Sequence, residues 1–166
     1  QEKKLYIFSL PEIFFDGKSS LSAMLEAIKG ATRHIHLQSY IIEDDQVGGE
    51  FKNALIAKAQ EGVEVRLMYD GFGSRKLNKK FIQELKDAGV EILNFSPFRW
   101  FFIPLFANYR NHRKILVVDG KTGFLGGVNI ADRYYHGGVF PEWRDTHLKL
   151  TGQSVYSLQA SFLLDR

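Results

Sequence analysis

The sequence predicts an α/β domain with a mixed, largely parallel β-sheet and helices on both faces. Short apolar runs with strand-like alternation recur along the chain, and segments with helical spacing of apolar residues separate the first four of them. The 166 residues suffice for one domain with a buried core. No internal repeat, low-complexity tract or linker divides them, so we predict a single domain over residues 1–166.

Predicted strands and helices alternate in the first half of the chain. The strands are Lys4–Leu10, His34–Ile42, Val63–Tyr69 and Val90–Phe95, and the helices run from Ser19 or Ser20 to Lys29, from Gly48-Gly49 to about Glu61, and over Lys79–Ala88. Alternation along the second strand places four polar side chains on one face: His34, His36, Gln38 and Tyr40. We expect this face to be solvated or covered by a helix rather than to line a site.

The second half is organised around the stretch Asn111–Asn129. Its apolar, β-branched run Ile115–Val118 ends at Asp119-Gly120, which predicts a strand that enters a tight hairpin. Side chains alternate across a strand, so His112 and Lys114 share a face, whereas Asp119 points to the other face. We therefore interpret His112 and Lys114 as the reactive pair and Asp119 as a supporting group. Beyond the hairpin, Trp143–Leu150 is predicted as a strand, and a final helix follows Gly152.

Composition and charge exclude several classes of protein. Hydrophobic residues make up 45% of the chain and charged residues 25%, which is ordinary for a soluble globular protein. The net charge of +3 is compatible with an anionic substrate, and the absence of cysteine excludes disulfides and thiol chemistry. No apolar stretch reaches the roughly 18–20 residues that span a bilayer. Because the chain begins with Gln1 rather than Met, we expect a processed chain or a piece of a longer one.

Three groups of residues suit phosphoryl transfer: His112 with Lys114, Gly126-Gly127 ahead of Asn129, and Asp145 with His147. A neutral imidazole can attack phosphorus, because its usual pKa of about 6.5 leaves it largely unprotonated at pH 7. A lysine can stabilise charge on phosphate oxygens, glycines allow close backbone approach, and an asparagine amide can donate to phosphate. A carboxylate can fix the tautomer of the histidine. His147 is left open between a site and a structural role. Without clustered carboxylates, we predict no metal site and no cofactor.

At these residues the sequence resembles the phospholipase D superfamily, whose HxKxxxxD motif is matched by His112, Lys114 and Asp119. The segments HIHLQSYIIEDD, GGVNIADRY and WRDTH extend the likeness to bacterial cardiolipin synthases over essentially the whole chain. The resemblance implies metal-independent transfer at a phosphodiester. One motif histidine forms a phosphohistidine intermediate, and a second motif histidine, from another copy of the motif, protonates the leaving alcohol.

The resemblance assigns roles to residues of this chain. It implies that the motif Lys and the Asn bind phosphate, and that Asp145 occupies an acidic position that contacts the motif histidine. Gly127 stands where many members have serine, so a hydroxyl contact to phosphate is lost. The candidate catalytic residues are His112, Lys114, Asn129, Asp119 and Asp145, and the candidate substrate-binding residues are Gly126, Gly127, Trp100, Phe101 and Phe102.

The last three of these residues lie in an aromatic-dense segment, Phe95–Tyr109. One interpretation is a loop that caps the core; the other is an interfacial patch that meets lipid near His112. We favour the lipid patch, because Trp100, Phe101 and Phe102 in succession cannot all face one core under helical or strand periodicity.

A single motif leaves either attack or leaving-group protonation without its partner, so we expect a homodimer or a second motif-bearing half. We interpret the chain as the first half of a synthase that lacks its membrane-anchoring N-terminus. The predicted reaction transfers a phosphatidyl group between two phosphatidylglycerol molecules and releases glycerol. We expect the full protein at the bacterial cytoplasmic membrane and this chain to be soluble by itself.

The alternatives are a dimeric single-motif phosphodiesterase or nuclease, and a non-catalytic module that binds anionic lipid. We expect no nucleic-acid partner, since basic residues do not line a groove with spaced aromatics.

Overall fold

The computed structural model describes residues 10–95, 111–138 and 143–165, and these residues form a seven-stranded sheet with helices on both faces. In chain order the elements are β1 (Glu12–Asp16), α1 (Gly17–Lys29), β2 (His34–Ser39), α2 (Gln46–Gln60), β3 (Glu64–Asp70), α3 (Lys79–Asp87), β4 (Glu91–Phe95), β5 (Ile115–Val118), β6 (Thr122–Gly126), α4 (Asp132–His136), β7 (Arg144–Thr151) and α5 (Ser154–Leu164). The order across the sheet is β1-β7-β6-β5-β2-β3-β4.

The α/β class with helices on both faces is confirmed, but the expectation of a largely parallel sheet is wrong. Only β2, β3 and β4 are paired in parallel. The four other pairings, which involve β1, β7, β6, β5 and β2, are antiparallel. The reason lies in the connections: crossover helices separate β2, β3 and β4, whereas the tight turn at Asp119-Gly120 can only return β6 antiparallel to β5.

The strand expected at Lys4–Leu10 lies outside the described residues except for Leu10, which is not in a strand. The first described strand is β1, an edge strand beyond Pro11 that pairs with β7. Helix α1 begins before the expected Ser19 or Ser20, because the Asp16 carboxylate caps it by accepting from the backbone N and hydroxyl of Ser19, each at 2.7 Å.

Helix α4, which ends at His136, was not predicted from the sequence. Its first residue, Asp132, accepts from the backbone N of Val47 at 2.8 Å, and its own backbone N donates to Asp45 at 2.7 Å. Asp45 also caps α2 by accepting from the backbone N of Gly48. These bonds join the start of α2 to the segment that follows β6.

The main core lies between the sheet and helices α1 to α4, and a smaller one lies under α5. Ile115 and Val117 of β5 pack on Val155 of α5 in the smaller core. The polar face of β2 lies under the same helix: the His36 ring stacks on Phe162 with the ring centroids 4.7 Å apart. Of the two expected outcomes, solvation or cover by a helix, the structure shows cover by α5 at the first three polar residues. No helix within the described ranges is both long and apolar enough to cross a membrane.

Candidate active site

The predicted reactive residues meet at one end of the sheet, where β2 and β6 end and β5 and β7 begin. Register explains the convergence, since Ile115 pairs with Gln38 on one side and Leu125 on the other. One residue further along, Gly126 pairs with His147 of β7. The residues that immediately precede β5 therefore lie beside the end of β2, the glycine pair and the start of β7.

His112 precedes β5 and is exposed to solvent. Its imidazole stacks on the ring of Tyr40, with the centroids 3.9 Å apart and the planes inclined by 22°. Stacking covers a face of the imidazole and leaves the two nitrogens at its edge. No hydrogen bond joins either nitrogen to another residue in the described part of the chain. The ring is therefore fixed in orientation and open to an incoming phosphorus atom.

Lys114 brings a positive charge next to this histidine. Its Nζ donates to the backbone carbonyl of His112 at 2.6 Å and lies 5.5 Å from the centroid of the Tyr40 ring. Partial burial lowers the pKa of Lys114, and the nearby Asp145 carboxylate opposes that shift. A phosphate bound against His112 would gain an ammonium partner without a further change of the fold.

Asp145 lies at the start of β7 against the backbone of Gly127. A Cβ on Gly127 would come 2.2 Å and 2.3 Å from the two carboxylate oxygens, so no side chain fits at residue 127 while Asp145 keeps this position. One oxygen accepts from the backbone N of Thr146 at 2.7 Å. The carboxylate makes no hydrogen bond to His112 in this structure, although the resemblance implies that contact. The charge of Asp145 acts instead on Lys114 and His147, and it raises the pKa of each.

His147 is completely buried next to Gly126. A Cβ on Gly126 would lie 2.6 Å from its Nδ1, so glycine is required where β6 and β7 approach each other. Neither ring nitrogen has a hydrogen-bond partner among the described residues. Burial, assisted by the charge of Lys114, lowers the pKa of His147 to about 4 against the opposing effect of Asp145. The imidazole is therefore neutral near pH 7. Packing explains both glycines, and their predicted contact with phosphate stays a prediction.

Asn129 connects the glycine pair to the end of β2. Its amide oxygen accepts from the backbone N of Ile41 at 3.0 Å, and its Nδ2 donates to the Tyr134 hydroxyl at 2.8 Å. The residue is only 4% exposed. One amide N–H remains for another acceptor, so the predicted contact with phosphate stays a prediction.

Asp119 does not lie with the other candidate catalytic residues. It follows β5 at the end opposite His112, in a left-handed backbone conformation with φ 56°. Its carboxylate accepts from the backbone N atoms of Thr32, Arg33 and His34 at 2.7 to 3.2 Å and from the Thr32 hydroxyl at 2.8 Å. Seven residues of extended chain separate it from His112 by roughly 20 Å. The interpretation of Asp119 as a supporting group agrees with this position, whereas a place among the catalytic residues does not.

Burial and hydrogen bonding act in opposite directions on Asp119. Burial alone would raise its pKa, but the donors from His34, Arg33 and Thr32 outweigh burial and lower the pKa to about 2. The group is therefore ionised at every pH at which the protein is expected to work. Its bonds join the turn after β5 to the loop between α1 and β2.

Sequence reasoning missed Tyr40 as a member of the site. Alternation placed it with the covered face of β2, but β2 ends at Ser39, so the chain leaves the sheet one residue before the tyrosine. Gly73 lies behind it, since a Cβ there would come 3.1 Å from two of the ring carbons. The Ser74 hydroxyl donates to the Tyr40 carbonyl at 3.2 Å. These contacts come from the loop after β3, which no local pattern relates to His112.

The predictions for the aromatic segment and for a metal site remain predictions. Trp100, Phe101 and Phe102, with the aromatic segment around them, lie outside the described residues. Within the described ranges, no group of three or more histidine, aspartate or glutamate side chains could bind a metal ion.

Comparison with known proteins gives relatives that match nearly all of this chain. A cardiolipin synthase of Alkalihalophilus pseudofirmus is 50% identical over 155 residues, which cover 93% of this chain and 31% of that protein. The major cardiolipin synthase ClsA of Bacillus subtilis is 45% identical and is covered to 32% of its length. The chain thus spans about a third of the length of these relatives.

One solved structure gives the same fold at low identity. A phosphatidylserine synthase of Haemophilus influenzae superposes with a TM-score of 0.73 at 17% identity, over 96% of this chain and 37% of that one. Residues 24–138, which include the motif histidine, the lysine and the glycine pair, match the model of the family described as the cardiolipin synthase, phospholipase D-like domain. With this match over more than half of its length and relatives about 50% identical, the chain belongs to the cardiolipin synthase branch of the phospholipase D-like family.

Proposed function

We propose that this chain is one catalytic half of a cardiolipin synthase, which transfers a phosphatidyl group from one phosphatidylglycerol molecule to another. The observation that carries the proposal is the exposed His112 imidazole, oriented by Tyr40 and flanked by the Lys114 ammonium, in a chain of this family. Those of the other candidate residues that the structure describes lie around the same end of the sheet, with Asp119 as the exception.

The first step forms a covalent intermediate. An imidazole nitrogen of a motif histidine attacks the phosphorus of phosphatidylglycerol, and the bond from phosphorus to the glycerol oxygen breaks. The departing glycerol takes a proton from a second motif histidine. Lys114 stabilises the negative charge on the non-bridging oxygens, and the remaining N–H of Asn129 is the second donor we assign to them.

In the second step, the second histidine accepts a proton instead of donating one. A hydroxyl of a second phosphatidylglycerol gives its proton to the second histidine and attacks phosphorus, the phosphorus–nitrogen bond breaks, and cardiolipin leaves. His112 is either the nucleophile or the acid and base in this cycle. In both cases one copy of the motif supplies only half of the proton and phosphoryl chemistry.

The second histidine must come from another motif-bearing unit, which is a further part of a longer protein or a second copy of this chain. The length of the relatives supports the former, since this chain matches only 31% of the first of them. We call the chain together with that unit the active assembly. Its substrates are lipids, so we place the active assembly at an anionic membrane surface, with the aromatic segment Phe95–Tyr109 as the part that meets lipid.

One experiment separates this proposal from its rivals. The mass of the chain is measured by sedimentation, and labelled phosphatidylglycerol in vesicles is then supplied to the chain alone and to the chain with a candidate second half. We expect cardiolipin and free glycerol, in the presence of EDTA, only where two motifs are present.

Each other result identifies a different function. Hydrolysis of phosphatidylglycerol without any cardiolipin would contradict the transferase assignment. Cleavage of DNA or of a simple phosphodiester by a dimer of the chain would establish the phosphodiesterase. Binding to vesicles without turnover, unchanged in the His112→Ala variant, would establish the non-catalytic lipid-binding module.

A further inference from the structure

The carboxylate of Asp165, at the end of α5, accepts hydrogen bonds from both residues that flank His112. Asn111 donates through Nδ2 at 2.6 Å, and Arg113 donates through Nη1 at 2.6 Å and 2.5 Å to the two oxygens. Gln38, near the end of β2, donates to the same carboxylate at 2.9 Å. Two segments that are far apart in sequence, at the end of β2 and just before β5, thus donate to one side chain.

A further bond closes this arrangement around the histidine. The backbone N of Arg113 donates to the Asn111 amide oxygen at 3.1 Å, so the residues before and after His112 are joined to each other as well as to Asp165. Asp165 has 16% of its side chain exposed, and Arg113 has 54%. Burial alone would raise the pKa of Asp165, but donors from Gln38, Asn111 and Arg113 lower it, so the carboxylate is ionised near pH 7.

The residues that carry His112 need such an anchor. The strand ladder begins only at Ile115, and no strand pairing includes residues 111–114. Backbone pairing therefore holds the chain from Ile115 onward, whereas side-chain hydrogen bonds hold Asn111 and Arg113. Tyr40 contacts the ring itself, and Asp165 contacts both neighbours of the residue that bears it.

We propose that Asp165 is a positioning residue for the reaction: its bonds to Asn111 and Arg113, the Asp165 clamp, set the place of the His112 imidazole relative to Tyr40 and Lys114. The inference rests on the proposed function only in taking His112 as a reacting group. Asp165 itself touches no substrate in this account, so its loss acts through the histidine.

The test is the Asp165→Asn variant in the active assembly. An amide keeps the shape of the side chain but has one acceptor oxygen, and its NH2 group faces the donors of Asn111 or Arg113. We expect kcat for cardiolipin formation to fall about 10- to 100-fold, because small displacements of a reacting group are costly, while KM changes less than about threefold. The matched control is Asp87→Asn at the end of α3, where the carboxylate accepts a side-chain bond only from Gln83. We expect that control to leave kcat unchanged.

Two readouts distinguish positioning from a general loss of structure. In protein labelled at the histidine Cε1 position, we expect the His112 resonance to shift and broaden in Asp165→Asn, whereas the resonance of His136 stays close to that of the original protein. We also expect the pH–rate profile of cardiolipin formation to change in this variant. In Asp165→Glu, which keeps the charge, we expect partial recovery of kcat.

A second variant tests the same contact from its other side. Arg113→Gln alters a half-exposed side chain and should fold even if Asp165→Asn does not. We expect a similar fall in kcat, and we expect the double variant to be no worse than the poorer single variant, because both changes break the same contact.

Two results would overturn the proposal. One is a normal kcat for both Asp165→Asn and Arg113→Gln; the other is a lowered kcat with an unchanged His112 resonance and pH profile. If the unsubstituted assembly makes no cardiolipin, the proposed function fails, but the resonance of His112 still decides whether Asp165 positions it.

Discussion

His112 precedes β5 and Asp119 follows it, and an aspartate carboxylate anchors the chain at each end. Asp119 accepts from three consecutive backbone N atoms and one hydroxyl, all within residues 32–34. Among the described residues, Asp165 accepts only from side chains, which belong to three residues in two separate segments. Backbone donors fix the path of the main chain, whereas the side-chain donors hold the two residues that flank the exposed imidazole. The family motif thus spans one end that we assign to stability and another that we assign to chemistry.

The largest effect on activity should come from a change at His112. In His112→Ala we expect cardiolipin formation by the active assembly to fall by about 10⁴-fold or more, since the reacting nitrogen is lost. The melting temperature should barely change, because the side chain is exposed. His136→Ala, at an exposed histidine outside the site, is the control and should keep full activity. A near-normal rate in His112→Ala would remove this residue from the mechanism.

At the other end of β5 we expect a change to lower stability and to leave the rate nearly unaltered. In Asp119→Asn we expect the free energy of unfolding to fall by about 2 kcal/mol, because an amide cannot replace the bonds that a charged carboxylate accepts from residues 32–34. Asparagine tolerates the left-handed conformation at this position, so the loss reports on the bonds rather than on the backbone. Urea unfolding measures the fall in the free energy of unfolding. The rate of cardiolipin formation per folded molecule should stay near normal. A stable variant with a hundredfold lower rate would contradict the division of roles.

The pH dependence of stability tests the same role of Asp119. The pKa of Asp119 is lowered from its usual 3.8 to about 2, so its stabilising contribution is complete above about pH 4 and is lost as the pH falls from 4 to 2. The difference in urea midpoint between the original protein and Asp119→Asn should therefore be largest near neutral pH and shrink over that acid range. A constant difference down to pH 2 would show that ionisation of Asp119 does not supply the stability.

An intermediate effect is expected at the glycine next to Asp145. A methyl group in Gly127→Ala would overlap the carboxylate oxygens of Asp145, so the carboxylate must turn away from its place near Lys114. We expect activity to fall by about tenfold with little loss of stability. Gly49→Ala in α2 is the matched control, since a Cβ there meets nothing within 4 Å. Full activity in Gly127→Ala would mean that the position of Asp145 is irrelevant to the rate.

The smallest effect should follow loss of the ring under the histidine. Stacked aromatic pairs contribute about 1 kcal/mol, so Tyr40→Leu should lower activity by roughly fivefold. Tyr40→Phe keeps a ring at the same place and should lose less than Tyr40→Leu. Tyr156→Leu, on the exposed side of α5, serves as the control. Equal losses in the leucine and phenylalanine variants would show that stacking is not the reason for the contact.

Local patterns sufficed where the determining contacts are near in sequence or repeat with a period. Alternation and turn residues located β2, β3, β5 and β7 to within a few residues, and strand parity separated Asp119 from His112 and Lys114. The same patterns misjudged the parallel character of the sheet, because strand direction depends on which neighbour a strand finds. They also missed β1 and α4, which are short and have weak apolar periodicity.

The sequence alone determined the family and the class of fold, and it predicts the reacting histidine and lysine, because the motif residues are close together on one strand and its approach. Only the tertiary structure decided what surrounds them. Tyr40 reaches His112 because β2 pairs with β5, and Asp165 reaches the neighbours of His112 because α5 packs across both strands. Contacts between residues 50 to 130 positions apart leave no local pattern, so the supports of the site became visible only once the sheet order was known.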